Sequence, residues 1–192
     1  MTIPPASALN DIGLHEKITA IRTDKSPSGS ESLYPIDKLE AHVKNIRHVA
    51  ISNFVFHEEK LLIQKRAATK YHSAGLWANT VCSHPRWQES TKDCAHRRLQ
   101  EELGWVVPLR YFGEIDYQAK VGDLYENEQV HCFFGSFDVN NDISVFNREE
   151  VSAVKWLSIP EILSAMVDRP EEFSEWFKIY MTQHRDMISS LI

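Results

Sequence analysis

The clearest hydrophobic pattern in the chain lies between Ser90 and Gly104. Apolar side chains return at helical spacing on one side of this segment, while the intervening positions are charged; the apolar ones are Cys94, Leu99 and Leu103, and the charged ones are Arg97, Arg98, Glu101 and Glu102. Ser90 or Thr91 can accept hydrogen bonds from the first free backbone N–H groups, and Gly104 can adopt the left-handed turn that ends a helix. The pattern predicts an amphipathic helix between these caps.

Alternating or uniformly apolar runs elsewhere in the chain predict strands. They cover residues 16–23, 49–56, 61–65, 76–81, 111–119, 129–138 and 151–157, with the first of them at an edge. A polar turn at residues 57–60 joins two of these runs into a hairpin. The Ser-, Gly- and Pro-containing stretch at residues 24–32 is predicted to be a surface turn.

The C-terminal part of the chain has helical periodicity at residues 159–167 and 170–188. The second segment carries an apolar stripe that predicts a core-facing surface, made of Phe173, Trp176, Phe177, Tyr180 and Met181. Because strands and helices do not alternate regularly, the order of elements predicts an α+β fold. The length of 192 residues suits a single domain spanning residues 1–192, with residues 1–15 as a loose tail.

Composition narrows the class of protein. The 21 basic and 27 acidic side chains give a formal net charge of −6, which argues against a general nucleic-acid binder because such proteins need a basic surface. No apolar run approaches the ~20 residues of a membrane span, and the polar N-terminus lacks a signal-peptide core. Three cysteines suit a reduced compartment better than a disulfide framework. We therefore expect a cytoplasmic enzyme without membrane or nucleic-acid partners.

Two acidic residues stand out between the predicted strands. Glu126 and Glu128 are two apart, so on an extended strand both side chains point to the same face. Such a pair is costly unless a divalent cation neutralises it or one carboxyl stays protonated. On an exposed edge, however, the pair would have no functional meaning.

Histidines and basic residues give weaker signals when taken singly. His42 and His48 could meet if the backbone bends between them, although a single histidine is more often a surface or core residue than a ligand. Lys65, Arg66 and Lys70 precede a short segment that carries Cys82, His84 and Glu89 and is predicted to be a loop. This basic group is either a solvated turn or a clamp for phosphate oxygens.

The region from Trp77 to Trp105 resembles the Nudix box. Seven residues match it in register, namely Glu89, Arg97, Leu99, Glu101, Glu102, Gly104 and Trp105. Ser83 replaces the first glycine of the box, and Arg98 replaces a glutamate. The flanking runs Trp77-Ala-Asn-Thr-Val-Cys82-Ser-His84-Pro85 and Arg97-Arg-Leu-x-Glu-Glu-Leu-Gly resemble type 1 isopentenyl-diphosphate isomerases, which carry these substitutions, and the likeness extends over residues 38–176.

This resemblance implies a Nudix-like mixed β-sheet sandwich flanked by helices and a set of site residues. The implied metal ligands are His42, His48, His84, Glu126 and Glu128 for one divalent ion, which could be Mn²⁺, Mg²⁺ or Zn²⁺, and Glu102 for a second, diphosphate-bound Mg²⁺. The implied catalytic residues are Cys82, Glu128 and Tyr117. The implied substrate contacts are Lys38, Arg66, Lys70, Arg98 and Trp176. An isoprenyl diphosphate would be the ligand of a monomer or homodimer.

The expected reaction is the conversion of isopentenyl diphosphate to dimethylallyl diphosphate, in which one proton is added to the alkene and another is removed. Because an alkene is a poor base, the reaction needs a positioned acid in a dry pocket. Two alternatives remain at this point. One is a Nudix hydrolase that cleaves an organic diphosphate with Glu101, Glu102 and Mg²⁺. The other is a protein that binds the diphosphate without turnover.

Overall fold

The strand at the centre of the fold is β3, which spans His48–His57. It belongs to a computed structural model that describes residues 16–23, 31–137 and 142–192. Among these residues, nine strands form one mixed sheet. The tail predicted at residues 1–15 and most of the turn predicted at residues 24–32 lie outside the described residues.

The remaining elements follow one another along the chain. The other strands are β1 Lys17–Thr23, β2 Glu31–Asp37, β4 Lys60–Arg66, β5 Trp77–Ala78, β6 Val81–Ser83, β7 Leu109–Val121, β8 Leu124–Ser136 and β9 Val151–Ser158. The helices are α1 Lys38–Val43, α2 Thr91–Leu103, α3 Ile159–Asp168, α4 Glu175–Gln183 and α5 Arg185–Ser189, with a 3₁₀ turn at Pro170–Glu172.

Strand β3 is buried on both faces, and apolar residues occupy most of its positions. Its side chains alternate between two cores. Ala50, Phe54 and Phe56 join the core that is covered by α3 and α4, whereas Ile51 and Val55 join the core that is covered by α2. Helices therefore flank both sides of the sheet, and the predicted α+β class with a mixed sheet flanked by helices is confirmed.

The neighbours of β3 bring distant parts of the sequence together. Strand β8 runs parallel to β3 and places Glu128 beside His48. Strand β6 runs antiparallel to β3 and places Cys82 beside Ser52. These pairings set the relative positions of the side chains that form the site described below.

The predicted amphipathic helix is confirmed as α2. The Ser90 hydroxyl accepts a hydrogen bond from the Asp93 backbone N–H at 3.0 Å, and Gly104 ends the helix with a φ of 71° while its N–H bonds the Gln100 carbonyl at 2.9 Å. Leu99 and Leu103 are buried against the sheet. The predicted hairpin turn at residues 57–60 is also present, with Phe56 paired to Leu61.

Gly104→Ala is expected to lower the free energy of unfolding by about 1 to 2 kcal/mol, because an L-residue with a side chain is strained at this left-handed φ. Urea denaturation of the purified protein measures the change. Gln100→Ala is the control, since it alters an exposed position of the same helix and should stay within about 0.5 kcal/mol of wild type. Equal stabilities for Gly104→Ala and wild type would contradict the assigned helix end.

The prediction of one continuous strand over residues 76–81 is wrong. It is split into β5 and β6 because two polar residues between them bond to neighbouring strands. The Asn79 amide donates to the Asn53 carbonyl at 3.1 Å, and the Thr80 hydroxyl donates to the Leu62 carbonyl at 2.8 Å. As a result Cys82 lies on β6 rather than in a loop.

Three other predictions need correction. Strand β2, which was not predicted, occupies the edge and places β1 between β2 and β3; it also makes residues 31 and 32 part of a strand rather than of the predicted turn. Strand β7 is longer than predicted and β8 begins before residue 129, because the two strands meet in a tight turn at Gly122; the last residue of the strand predicted at 129–138 lies outside the described residues. The helix predicted at residues 170–188 is broken near Phe173, which instead forms a bridge to Trp77.

Within the described parts of the chain, none of the helices has the length and apolar character needed to cross a membrane.

Candidate active site and metal centre

The predicted site residues meet in and beneath one pocket at the edge of the central strands. Those that line it are Lys38, Arg66, Lys70, Cys82, His84, Arg98, Glu102, Tyr117, Glu126, Glu128 and Trp176. The other two, His42 and His48, are fully buried in the adjoining cluster. The structure therefore brings together residues that are up to 138 positions apart in the chain, from Lys38 to Trp176.

Five of these residues form a compact cluster of potential metal ligands. Their ligand atoms lie within 4.8 Å of one another, and the residues are His42, His48, His84, Glu126 and Glu128. They come from α1, the start of β3, the residue that follows β6 and the first half of β8. Glu126 and Glu128 point to the same buried side of β8, as their spacing predicted, and the alternative of an exposed acidic edge is wrong.

Backbone carbonyls orient two of the histidine rings. His42 Nδ1 lies 2.7 Å from the Lys38 carbonyl oxygen, and His48 Nδ1 lies 2.7 Å from the Ile46 carbonyl oxygen. Since a carbonyl can only accept, both Nδ1 atoms carry hydrogen, and the Nε2 atoms of both rings face the cluster. This is the arrangement that metal-ligating histidines adopt.

Several histidine nitrogens of the cluster lack well-formed hydrogen bonds. His48 Nε2 and His84 Nε2 face each other at 3.2 Å, and His42 Nε2 has no well-oriented hydrogen-bond partner, although Glu126 Oε2 lies 3.2 Å away. Two ring nitrogens of the cluster, His42 Nε2 and His84 Nδ1, are buried without a hydrogen-bond partner, and such atoms call for a physical explanation. A divalent cation fits this set of nitrogen and oxygen donors.

The acidic pair is ionised. Burial alone would raise the pKa of Glu128, but hydrogen bonding and charge interaction with His48 outweigh it and lower that pKa to about 2. Burial and the nearby Glu128 would likewise raise the pKa of Glu126, yet the contact with His42 lowers it below its ordinary value. The sequence left open whether one carboxyl is protonated, and these directions indicate that both carboxylates are ionised.

The Cys82 thiol and the Glu128 carboxylate face the same pocket. Burial raises the pKa of Cys82 to about 12, so the thiol is protonated at neutral pH. The Tyr117 hydroxyl donates to Glu128 Oε2 at 2.7 Å, and His84 Nε2 lies 2.7 Å from Glu128 Oε1. One protonated group and one ionised group are thus available at the pocket surface.

Basic residues form the other end of the pocket. Lys70 Nζ lies 3.0 Å from Glu150 Oε2, and Arg98 Nη2 lies 2.7 Å from Glu102 Oε1 and 3.2 Å from the same Glu150 oxygen. Glu102 is buried, also accepts from Gln64 at 2.8 Å, and lies outside the five-residue cluster. The cations at this end of the pocket suit an anionic ligand, and its carboxylates suit a divalent cation.

Trp176 forms an aromatic wall between these two regions. The Arg66 guanidinium lies over the indole ring at 5.4 Å from its centroid, and His72 packs edge-on against the ring at 5.8 Å. Lys65, which the sequence grouped with Arg66 and Lys70, instead lies near Trp77 and does not line this pocket.

Comparisons with known proteins agree with this geometry. The NUDIX domain family matches residues 46–177. The isopentenyl-diphosphate Delta-isomerase of Jannaschia sp. is 45% identical over 159 residues, which cover 82% of this chain and 90% of that protein. The isomerase of the same name from Rhodobacter capsulatus is 46% identical over 158 residues, covering 81% and 89% of the two chains.

The chain belongs to the isopentenyl-diphosphate Delta-isomerase family of Nudix proteins. Solved structures support the fold alone. A Deinococcus radiodurans protein superposes with a TM-score of 0.62 at 14% identity and covers 80% of this chain and 90% of its own. The MutT protein of Methanosarcina mazei superposes with a TM-score of 0.56 at 16% identity and covers 76% and 95%.

The Nudix box of this family member is organised around arginines. Arg97 forms two hydrogen bonds with Glu89, at 2.6 and 2.7 Å, and a third with Glu101 at 3.0 Å. Arg98 replaces a box glutamate and pairs with Glu101 and Glu102. Because a cationic side chain takes the place of a potential metal-ligating carboxylate, the box is less suited to metal-assisted hydrolysis, which disfavours the hydrolase alternative.

Several residues of the site escaped the sequence analysis. His72, Ser83 and Glu150 line the pocket, while Ser52, Asn79 and Tyr180 contact or support Cys82. The polar Ser52 in the middle of a predicted buried strand was a usable signal, because buried polar residues need partners. Tyr180 carried no such signal, since an aromatic residue in a core-facing stripe is ordinary.

Proposed function

We propose that this protein converts isopentenyl diphosphate to dimethylallyl diphosphate by adding a proton to the terminal methylene of the alkene and removing one from the carbon nearer the oxygen. The names of the related enzymes support this assignment. The structural observation that carries it is a protonated thiol, Cys82, and an ionised carboxylate, Glu128, lining one pocket beside a basic region.

Cys82 and Glu128 have the protonation states that the reaction needs. Together they hold one proton at neutral pH, because the pKa of Cys82 is about 12 and that of Glu128 about 2. One group gives a proton to the substrate and the other accepts one from it, so the pair ends each turnover with the same number of protons. Tyr117 orients the carboxylate through its 2.7 Å hydrogen bond.

The basic end of the pocket is the proposed site of the diphosphate. Lys38, Arg66, Lys70 and Arg98 line it, and phosphate oxygens can replace Glu150 as the partner of Lys70 and Arg98. We propose that Glu102 contributes to holding the Mg²⁺ that accompanies the diphosphate. Anchoring the charged end in this way positions the alkene for proton transfer.

Trp176 is the proposed wall for the hydrocarbon end. Protonation of the alkene creates positive charge on a tertiary carbon, and the face of an indole ring attracts a cation. The same ring already contacts the Arg66 guanidinium. A single aromatic side chain therefore links the diphosphate region to the reacting carbons.

The five-residue cluster is the proposed metal centre, with Mn²⁺, Mg²⁺ or Zn²⁺ as its ion. A divalent cation there supplies positive charge that offsets the buried carboxylates and fixes the orientation of Glu128. We place the enzyme in the cytoplasm, because Cys82, Cys94 and Cys132 are all free thiols.

Proton NMR in D₂O tests the proposed function directly. The purified protein is incubated with isopentenyl diphosphate and Mg²⁺ plus Mn²⁺ or Zn²⁺, and dimethylallyl diphosphate carrying deuterium is the expected product. An alkene that stays unchanged with every metal would refute the proposal. Release of phosphate, or of a nucleoside monophosphate from a nucleoside diphosphate derivative, would point to the hydrolase instead.

A further inference from the structure

A chain of hydrogen bonds lies behind the Cys82 thiol, on the side away from the pocket. Cys82 Sγ is 2.8 Å from Asn79 Oδ1 and 3.2 Å from Ser52 Oγ. Ser52 Oγ is in turn 2.9 Å from the Tyr180 hydroxyl. Ser52 and Tyr180 are fully buried and are not among the residues that line the pocket.

The Asn79 side chain determines which atoms donate and which accept in this series of hydrogen bonds. Its amide nitrogen donates to the Asn53 carbonyl at 3.1 Å and to the Val81 carbonyl at 3.3 Å. The amide oxygen is therefore the atom that faces the thiol, and the thiol donates to it. This leaves the sulfur lone pairs to accept the hydrogen of Ser52, whose oxygen accepts from Tyr180.

Three different elements hold this arrangement in place. Ser52 and Cys82 are register partners on β3 and β6, and Tyr180 lies on α4 one helical turn after Trp176. The Tyr180 ring also packs edge-on against the ring of Tyr117, with centroids 5.8 Å apart. Since Tyr117 donates to Glu128, Tyr180 is in contact with the supports of both proposed catalytic groups.

We propose that Tyr180 and Ser52 are positioning residues for the reaction, in which the Tyr180 hydroxyl holds the Ser52 hydroxyl and Ser52 holds the Cys82 sulfur at its place in the pocket. The inference rests on the proposed function. A sulfur with two fixed partners cannot turn to another rotamer, and small displacements of a reacting group cost large factors in rate. Helix α4 thereby supplies both the aromatic wall and the support of the thiol.

Tyr180→Phe is the first test, because it removes one oxygen atom and keeps the ring packing. We expect kcat to fall about 10-fold to 100-fold while KM stays within about two-fold, since the diphosphate contacts are unchanged. Tyr111→Phe is the matched control; it removes an exposed hydroxyl that donates to Glu114, and kcat should stay at the wild-type value. Thermal melts establish that both variants are folded.

The double variant Ser52→Ala with Tyr180→Phe separates positioning from general destabilisation. Because Tyr180 acts through Ser52, the double variant should lose no more kcat than Ser52→Ala alone, which is a non-additive result. Losses that multiply would overturn the proposal. A wild-type kcat for Tyr180→Phe would also overturn it.

An NMR measurement that does not depend on turnover tests the positioning role separately from the proposed isomerase activity. In protein labelled with ¹³Cβ cysteine, the Cys82 signal should shift in Tyr180→Phe and stay in place in Tyr111→Phe. If wild type fails to isomerise, the proposed function fails regardless of this shift. If wild type is active and the Cys82 signal is the same in Tyr180→Phe and wild type, only the positioning role fails.

Discussion

Replacement of Cys82 by alanine or of Glu128 by glutamine is expected to lower kcat for isomerisation by about 10²-fold to 10⁴-fold, the range that proton-transferring side chains contribute. Both groups line the pocket. Removing either one leaves the alkene with an acid but no base, or with a base but no acid. The rate of deuterium incorporation in D₂O measures the effect on each variant.

Matched variants exclude non-specific effects of losing a thiol or a carboxylate. Cys94→Ala removes a buried thiol from the face of α2 that packs on the sheet, and Glu114→Gln removes an exposed charge from β7. Each should retain wild-type kcat, although Cys94→Ala will reduce stability. A wild-type kcat for Cys82→Ala or for Glu128→Gln would refute the proposed mechanism.

Removal of divalent metal is expected to reduce kcat by about 100-fold or more and to lower Tm. The activity should fall because the cation would fix the orientation of Glu128 and offset the charge of the buried carboxylates. The stability falls because Glu126 and Glu128 are buried and ionised within one small cluster. Mass action predicts that a cation at about 100 times its Kd stabilises the fold by about 2.7 kcal/mol.

The measurement combines dialysis against a chelator, thermal melts and back-titration with Mg²⁺, Mn²⁺ and Zn²⁺. His48→Gln should weaken the response of Tm to the metal, whereas His96→Gln, on the outer part of α2, should respond as wild type does. The ion that raises Tm at the lowest concentration is the metal that the site prefers. If none of the three metals changed the Tm of the metal-free protein, the proposed metal centre would be contradicted.

Much of the local structure follows from the sequence because its causes are local. Helix α2 is capped by Ser90 at its start and by Gly104 at its end, because the capping side chain and the left-handed glycine act within one turn. Glu126 and Glu128 share a face because strand geometry requires it. The site residues themselves came from the family resemblance, and the pocket contains or adjoins all of them.

The predicted boundaries of strands and helices are wrong where contacts with distant residues interrupt the regular backbone hydrogen bonding. Asn79 and Thr80 bond to neighbouring strands and interrupt the strand predicted at residues 76–81. Phe173 pairs with Trp77 and breaks the predicted C-terminal helix. Local propensity contains no information about such partners, because they are distant in the chain.

By itself, the sequence determined the fold class, the capped helix and the identity of the chemical groups. Only the tertiary structure decided how they meet: the parallel pairing of β3 and β8 places His48 beside Glu128, and the antiparallel pairing with β6 places Cys82 beside Ser52. The physical reason is that strand register depends on burying both faces of β3 against α2 on one side and α3 and α4 on the other, a condition that no single segment can satisfy alone.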